Sequence, residues 1–315
     1  MKPISIQDCQ HLISPLIIGP HCVSKAHDDK DFDDFVELGG NCFYIHGEGG
    51  ETQTRKNVAS WIKRLGIRDD LVLFFQICHG HDEVTSMLAE SRFSPKSVSD
   101  DIEENLNLLE IDYLDLVVLG GDNENIPATE IIDVLEGEKA RGRIFAYGPF
   151  NWSPARIQEA QDHAESNGLV GFSFVNTTEL SLATPTSAVW EGYTPFDASM
   201  KGLVTQKQLP VLAWTSDFNQ SFFIPREINR DSVPEDRRLN RWYTDENFAI
   251  RERATALGAK YNLNVRQINV AYLLNQDFPT AVMFYQDHDP DAQEYFAAIN
   301  SAIRRQELQE LWPKT

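Results

Sequence analysis

The sequence predicts a (β/α)8 barrel. Short apolar runs of strand length alternate with helix-period segments, the pattern of βα units around a parallel sheet. The runs are continuously apolar, as expected of strands covered on both faces. No low-complexity linker divides the chain. Its 315 residues exceed the usual domain size of roughly 100–150, but α/β barrels extend to about 250 residues or more as one domain. One domain over residues 1–315 is therefore expected.

Strands are predicted near Leu16–Ile18, Cys42–Ile45, Leu71–Ile77, Leu114–Leu119, Ile144–Tyr147, Gly171–Val175, Pro210–Trp214 and Thr280–Phe284. Between the third and fourth, Val98, Ile102, Leu106 and Leu109 recur at helical spacing. Pro127 to Arg141 reads as a helix stopped by Gly142. Ser153-Pro154 opens the next, with a capping hydroxyl and a proline at the first helical position. Two connections are long: Ala183 to Gln208 after the sixth strand and Ser216 to Asp245 after the seventh. Loops of that length in a compact domain are usually functional, and they follow strand C-termini, where barrel enzymes build their sites. The first carries Trp190, Tyr193 and Phe196; the second carries Phe218, Phe222, Phe223, Trp242 and Tyr243.

Composition narrows the function classes. With 42% hydrophobic and 10% aromatic residues the chain can bury a sizeable core. Its longest apolar stretches fall far short of the roughly 18 residues a membrane span needs. Met1 to Asp8 lacks a basic start and an apolar block, so no secretory signal is expected. Cys9, Cys22, Cys42 and Cys78 show no metal or disulfide spacing and read as small core residues in a reduced cytoplasm. Net charge is −20, from 48 acids and 28 bases. That field repels polyanions and argues against nucleic acid and anionic membranes as partners. It also opposes a multiply negative dinucleotide unless a basic patch compensates.

Past the predicted strand ends lie His21, His46, His79, His81 and His288, with Glu48, Asp82, Asp122, Glu179, Asp217 and Asp287. Imidazole and carboxylate suit divalent ions, so His46, Glu48, His79 and His81 are one candidate metal set, although His79-Gly80-His81 is not a diagnostic motif. Glu179 with Asp122 or Glu48 offers a carboxylate pair, which supports glycoside hydrolysis at separations of roughly 5–9.5 Å. Aromatic faces (Tyr44, Trp152, Trp214 and Trp242) beside fixed polar groups are the ingredients of a site for a small polar, carbohydrate-like ligand.

Several segments carry a family resemblance. Ile111-Asp112-Tyr113-Leu114-Asp115-Leu116-Val117-Val118-Leu119 resembles the "dyiDLy-x-x-H" strand of the aldo/keto reductases, with Gly120 where the family has histidine. Gly142 to Ser153 resembles "G-k-I-r-a-i-G-v-S-N-w-s", Asn176 to Leu182 resembles "N-Q-v-e-y-S-L", and Leu209 to Ser216 resembles "l-P-v-l-A-W-S-S". The tail from Ala298 to Leu311 keeps the family's helical spacing. The resemblance covers nearly the whole chain and implies a barrel of this type.

It also implies a nicotinamide-dependent carbonyl reductase built on an aspartate, a tyrosine, a lysine and a histidine. Those positions hold Tyr44, Gly49, Gln76 and Gly120. Loss of a general acid alone typically removes about 10²–10⁴-fold in rate. The positions that bind the adenosine phosphate fall on Tyr285, Gln286, Asp291 and Tyr295, and Thr177 replaces the glutamine that carries the nicotinamide amide. Only Asn151 and Ser216 match the expected polar contacts. Loss of the histidine ring is expected to open room at the barrel mouth, bordered by Asp122 and His79.

The expectation is thus a barrel of the aldo/keto reductase type that has lost the family reaction, binds no cofactor or metal, and takes a small polar ligand, with a sugar as the leading choice. Candidate catalytic residues of the repurposed site are Tyr44, His46, Glu48, Asp122 and Glu179. Candidate ligand contacts are His79, His81, Asn151, Trp152, Trp214 and Trp242. Asn151, Thr177 and Ser216 contact a dinucleotide if one binds. The alternatives are an NAD(P)-dependent oxidoreductase with an altered site, a carboxylate-based glycoside-processing enzyme, or a subunit that works through the barrel exterior.

Overall fold

The computed structural model describes residues 3–19, 29–46, 52–79, 92–188, 193–214, 221–285 and 292–312. Its strands are β1 (Leu16–Gly19), β2 (Cys42–His46), β3 (Val72–Ile77), β4 (Leu114–Leu119), β5 (Ile144–Pro149), β6 (Val175–Thr177), β7 (Val211–Trp214) and β8 (Thr280–Tyr285). They form a parallel sheet in the order β5-β4-β3-β2-β1-β8-β7-β6. The pairing of β1 with β8 makes the sheet curl on itself. Between β5 and β6 the seam is drawn together by the parallel bridge Phe150–Asn176. Ser173 N–H donates to Tyr147 O (2.9 Å) and Asn151 N–H to Asn176 O (3.0 Å) across the same seam. The expected (β/α)8 barrel is what forms.

Helices α1 (Asp29–Glu37), α2 (Thr52–Leu65), α3 (Pro95–Leu109), α4 (Ala128–Ala140), α5 (Pro154–Ser166) and α6 (Ala198–Lys207) alternate with the strands. After β7 come α7 (Arg237–Asn240), α8 (Asp245–Tyr261) and α9 (Val265–Leu273); after β8 come α10 (Ala292–Ile299) and α11 (Arg305–Gln309). The apolar periodicity of α3 turns Val98, Ile102 and Leu109 into the core, with Leu106 half-buried against it. No helix among the described residues is long and apolar enough to cross a membrane.

Ser153 caps α5 by accepting from Arg156 N–H at 3.3 Å, and Pro154 occupies the first turn. Replacing the hydroxyl leaves an orphan N–H, so Ser153→Ala is expected to lower stability by about 1 kcal/mol. Urea unfolding with an unchanged denaturant slope is the check.

Two expectations about element limits differ from the structure. The sixth strand was expected over Gly171–Val175 but begins at Val175, where its N–H bonds Pro210 O in register with β7. Gly171 has φ +72°, a left-handed backbone incompatible with a strand. The connection from Ala183 to Gln208 contains the whole of α6, and that from Ser216 to Asp245 contains α7. Asp197 caps α6 through Met200 N–H at 3.0 Å, a local signal that the apolar pattern does not carry.

Two apolar layers result. Ile17, Phe74, Leu116, Leu212 and Trp214 fill the barrel, and Ile4, Ile6 and Ile13, ahead of β1, join the same cluster. A larger layer, including Phe35, Trp61, Ile131, Ile157 and Val270, lies between strands and helices.

Candidate active site

Side chains alternate along a strand. Tyr44 of β2 and Phe74 of β3 both belong to the cluster inside the barrel, so Gln76 faces inward one layer above Phe74. The Tyr44 hydroxyl donates to Gln76 Oε1, and both side chains are buried. The Tyr44 ring is held edge-on by Phe74 (5.2 Å between centroids) and Trp214 (5.0 Å). Gln76 Nε2 is buried and, among the described residues, has no hydrogen-bond partner. The positions at which the resemblance places an aspartate and a lysine therefore meet as a neutral pair. A change at only one of them would leave a charge buried without its partner, which is strongly destabilising.

Gly120 follows β4. Its N–H donates to Ile77 O at 2.8 Å, and its carbonyl accepts from Trp152 Nε1 at 3.3 Å. A Cβ at this position would lie 2.9 Å from both Cys78 O and His79 Cα. The expected room is filled by the backbone that follows β3. Cys78 takes a left-handed conformation (φ +58°) and donates its N–H to Asp101 Oδ2 at 2.8 Å. Arg92 braces this turn, with Nε on His79 O at 2.7 Å and Nη2 on Asp101 at 2.9 Å. The turn that carries His79 is thereby pressed onto Gly120, where only glycine fits.

The candidate carboxylates are committed to arginines. Both oxygens of Asp122 accept from Arg156, at 2.9 and 3.1 Å, and that guanidinium also binds Ile126 O and lies over Trp152. Glu179 accepts from Arg241 at 2.8 Å through one oxygen and from Thr178 Oγ1 at 3.0 Å through the other, with both charged side chains out of solvent. The guanidinium bonds occupy the carboxylate oxygens, so both groups are engaged in ion pairs within the fold rather than presented to a ligand. Burial, reinforced by Glu179, raises the Tyr193 phenol well above its ordinary pKa and keeps it protonated.

The tryptophans do not present the expected faces to a ligand. Trp152 (2% exposed), Trp214 (1%) and Trp242 (0%) are packed away. Trp214 Nε1 donates to Asn176 Oδ1 at 2.7 Å inside the barrel. Trp242 lies in a separate cluster with Leu182, Phe222, Phe223 and Phe248, its indole under the Arg241 guanidinium at 4.5 Å. The apolar side of these rings decides their place, because burying them releases more surface from water than a charged loop suggests.

Asn151 sits past β5 with φ +54°, an αL position that asparagine tolerates. Its Nδ2 donates to Thr178 Oγ1 at 3.1 Å and its Oδ1 accepts from Thr178 N–H at 3.0 Å. Thr177 Oγ1 accepts from Glu179 N–H at 3.0 Å. Phe150 stands where the resemblance places serine, and it packs on Trp214 (5.4 Å) and Tyr193 (5.4 Å). Glu48, Gly49, His81, Ser216, Gln286 and Asp291 lie outside the described residues, as do the side chains of His46 and Tyr285. Among the described residues no three His, Cys, Asp or Glu side chains gather as a metal site.

Sequence reasoning missed Arg156, Arg241, Arg92 and Phe150. Arg241 lies 62 residues from Glu179, so no local spacing announces the pair. For Phe150 a signal exists in its place within the β5 segment.

A model of the aldo/keto reductase family matches residues 22–312. A curated relative is the NADH-specific methylglyoxal reductase of Escherichia coli (strain K12), 24% identical over 220 residues. The match covers 66% of this chain and 60% of that protein's length. These findings overturn the expectation that no cofactor is involved: the family model spans the barrel, and the relative is named for its NADH specificity. The nicotinamide end fits the donors present. Among the described residues Asn151 keeps, beyond its bonds to Thr178, one N–H and one carbonyl lone pair.

Proposed function

Because the chain belongs to the aldo/keto reductase family, we propose that it is a nicotinamide-dinucleotide-dependent oxidoreductase with an altered active site. It acts on a small polar carbonyl compound, sugar-derived aldehydes included, and prefers NADH to NADPH. The carrying observation is charge: Asp291 stands at the family's phosphate-binding arginine, and Gln286 and Tyr285 bring no positive charge. An acid there repels a 2′-phosphate far more than a bare ribose hydroxyl. The NADH specificity in the relative's name supports the same reading.

Asn151 would hold the nicotinamide amide, and the bound dinucleotide would supply the hydride. Tyr44 keeps its phenolic proton on Gln76 Oε1. With Gln76 in place of a lysine, no cation at that position stabilises a phenolate, so slow turnover is expected. A second reading, ligand binding without turnover, is favoured by the same neutral pair. The reading places the protein in a reducing cytoplasm, which the free thiols of Cys9 and Cys42 support.

Fluorescence titration with NADH and NADPH, followed by turnover of methylglyoxal, tests the proposal. NADH is expected to bind at least about tenfold more tightly, the equivalent of one charged hydrogen bond. Asp291→Arg is expected to narrow that gap. No binding of either dinucleotide, or tighter binding of NADPH, would sink the reading. Binding without any reduction would select the non-catalytic one.

A further inference from the structure

We propose that Gln76 Nε2 is the hydrogen-bond donor this site offers to the oxygen of a bound carbonyl ligand, and that Tyr44 is the positioning residue that aims it. The ligand class rests on the function proposed above. The donor itself rests on the geometry.

The amide of Gln76 presents its oxygen to Tyr44. Its Oε1 accepts the Tyr44 hydroxyl, and Tyr44 is wedged between Phe74 and Trp214. Nε2 is consequently the end directed away from Tyr44. Among the described residues, several neighbouring polar groups are engaged: Asn151 with Thr178, Glu179 with Arg241, Asp122 with Arg156, and Asn176 with Leu212 O and Trp214. Beside them, Gln76 keeps both amide hydrogens unused among the described residues.

A buried amide N–H without a partner is uncommon, since roughly 90% or more of buried polar groups are paired. The exception stands at the C-terminal end of β3, on the barrel face where catalytic groups are placed. The donor is shielded from water, which strengthens whatever hydrogen bond it makes. Its chemistry selects the ligand. Nε2 donates and carries no charge, so it suits a neutral carbonyl oxygen. An anionic ligand would have to approach a chain of net charge −20.

The experiment uses the full chain and two readouts. In the first, Gln76→Met removes the donor while keeping the side-chain length. The KM for methylglyoxal in the presence of NADH is expected to rise about tenfold or more, as loss of a buried hydrogen bond predicts, while the NADH dissociation constant stays unchanged. Tyr44→Phe releases the amide and is expected to raise the same KM by a smaller factor without weakening NADH. A KM within twofold of wild type in Gln76→Met overturns the proposal.

The second readout needs neither cofactor nor turnover. The side-chain amide signals of Gln76, assigned by their loss in Gln76→Met, are followed by 15N NMR during titration of the wild-type protein with hydroxyacetone. Both are expected to shift. Signals that stay fixed, as a trapped water alone would leave them, overturn the proposal. A protein that binds no dinucleotide yet shows these shifts refutes the proposed function and leaves the donor in place. This arm also decides the matter if Gln76→Met fails to fold.

Discussion

Replacing Arg241 with methionine is expected to destabilise the protein by about 3–5 kcal/mol, the usual consequence of stranding one member of a buried ion pair. Arg241 is 1% and Glu179 0% exposed in their side chains, so no water solvates the carboxylate once its partner is gone. The loss extends beyond the pair. Arg241 also donates to Ser187 O at 2.8 Å, and its own carbonyl accepts from Thr186 N–H at 2.9 Å. One residue thereby fastens the connection after β7 to the one after β6. Chemical unfolding measures the loss directly. The double variant Glu179→Leu/Arg241→Met removes both charges and is expected to recover more than half of it, since apolar replacements of buried pairs are often neutral or better. A single variant within about 1 kcal/mol of wild type, the range of exposed pairs, would mean that Glu179 is solvated in solution and would reopen its candidacy as an acid.

Placing histidine at Gly120 is expected to damage the fold. The new Cβ meets backbone, Cys78 O and His79 Cα at 2.9 Å, which cannot swing aside as a side-chain tip would. Overpacking of this kind typically destabilises by about 1–3 kcal/mol. The neighbouring glycine is a control: a Cβ at Gly121 meets nothing within 4 Å. Gly120→Ala should therefore unfold at clearly lower urea than Gly121→Ala, which is expected to stay within about 1 kcal/mol of wild type. Equal midpoints for the two would show that the turn at Cys78 yields, and the argument from close approach would fail.

The barrel was legible because its signals are local. Strand-length apolar runs at β3 and β4, the α3 periodicity and the Ser153-Pro154 start each specify an element from a few neighbouring residues, and each appears where expected. The site was less legible. Glu48, Asp122 and Glu179 are indistinguishable in a chain with 48 acids, and nothing near Asp122 in the chain shows that Arg156, 34 residues on, holds both its oxygens. Trp242 was misjudged for the opposite reason: its charged surroundings in sequence are not its surroundings in space, where Phe222, Phe223 and Phe248 enclose it.

By itself the sequence determined the barrel and the family, because each follows from residue identity at a place in a repeating pattern. Only the tertiary structure decided what the replacements do together. It joined Tyr44 to Gln76 across neighbouring strands, pressed the β3 turn onto Gly120 and locked Glu179 under Arg241. These are contacts between residues far apart along the chain, made by strand register and by the closing of the barrel. Composition and spacing carry no record of them, since a buried group's chemistry is set by whichever partner the fold delivers to it.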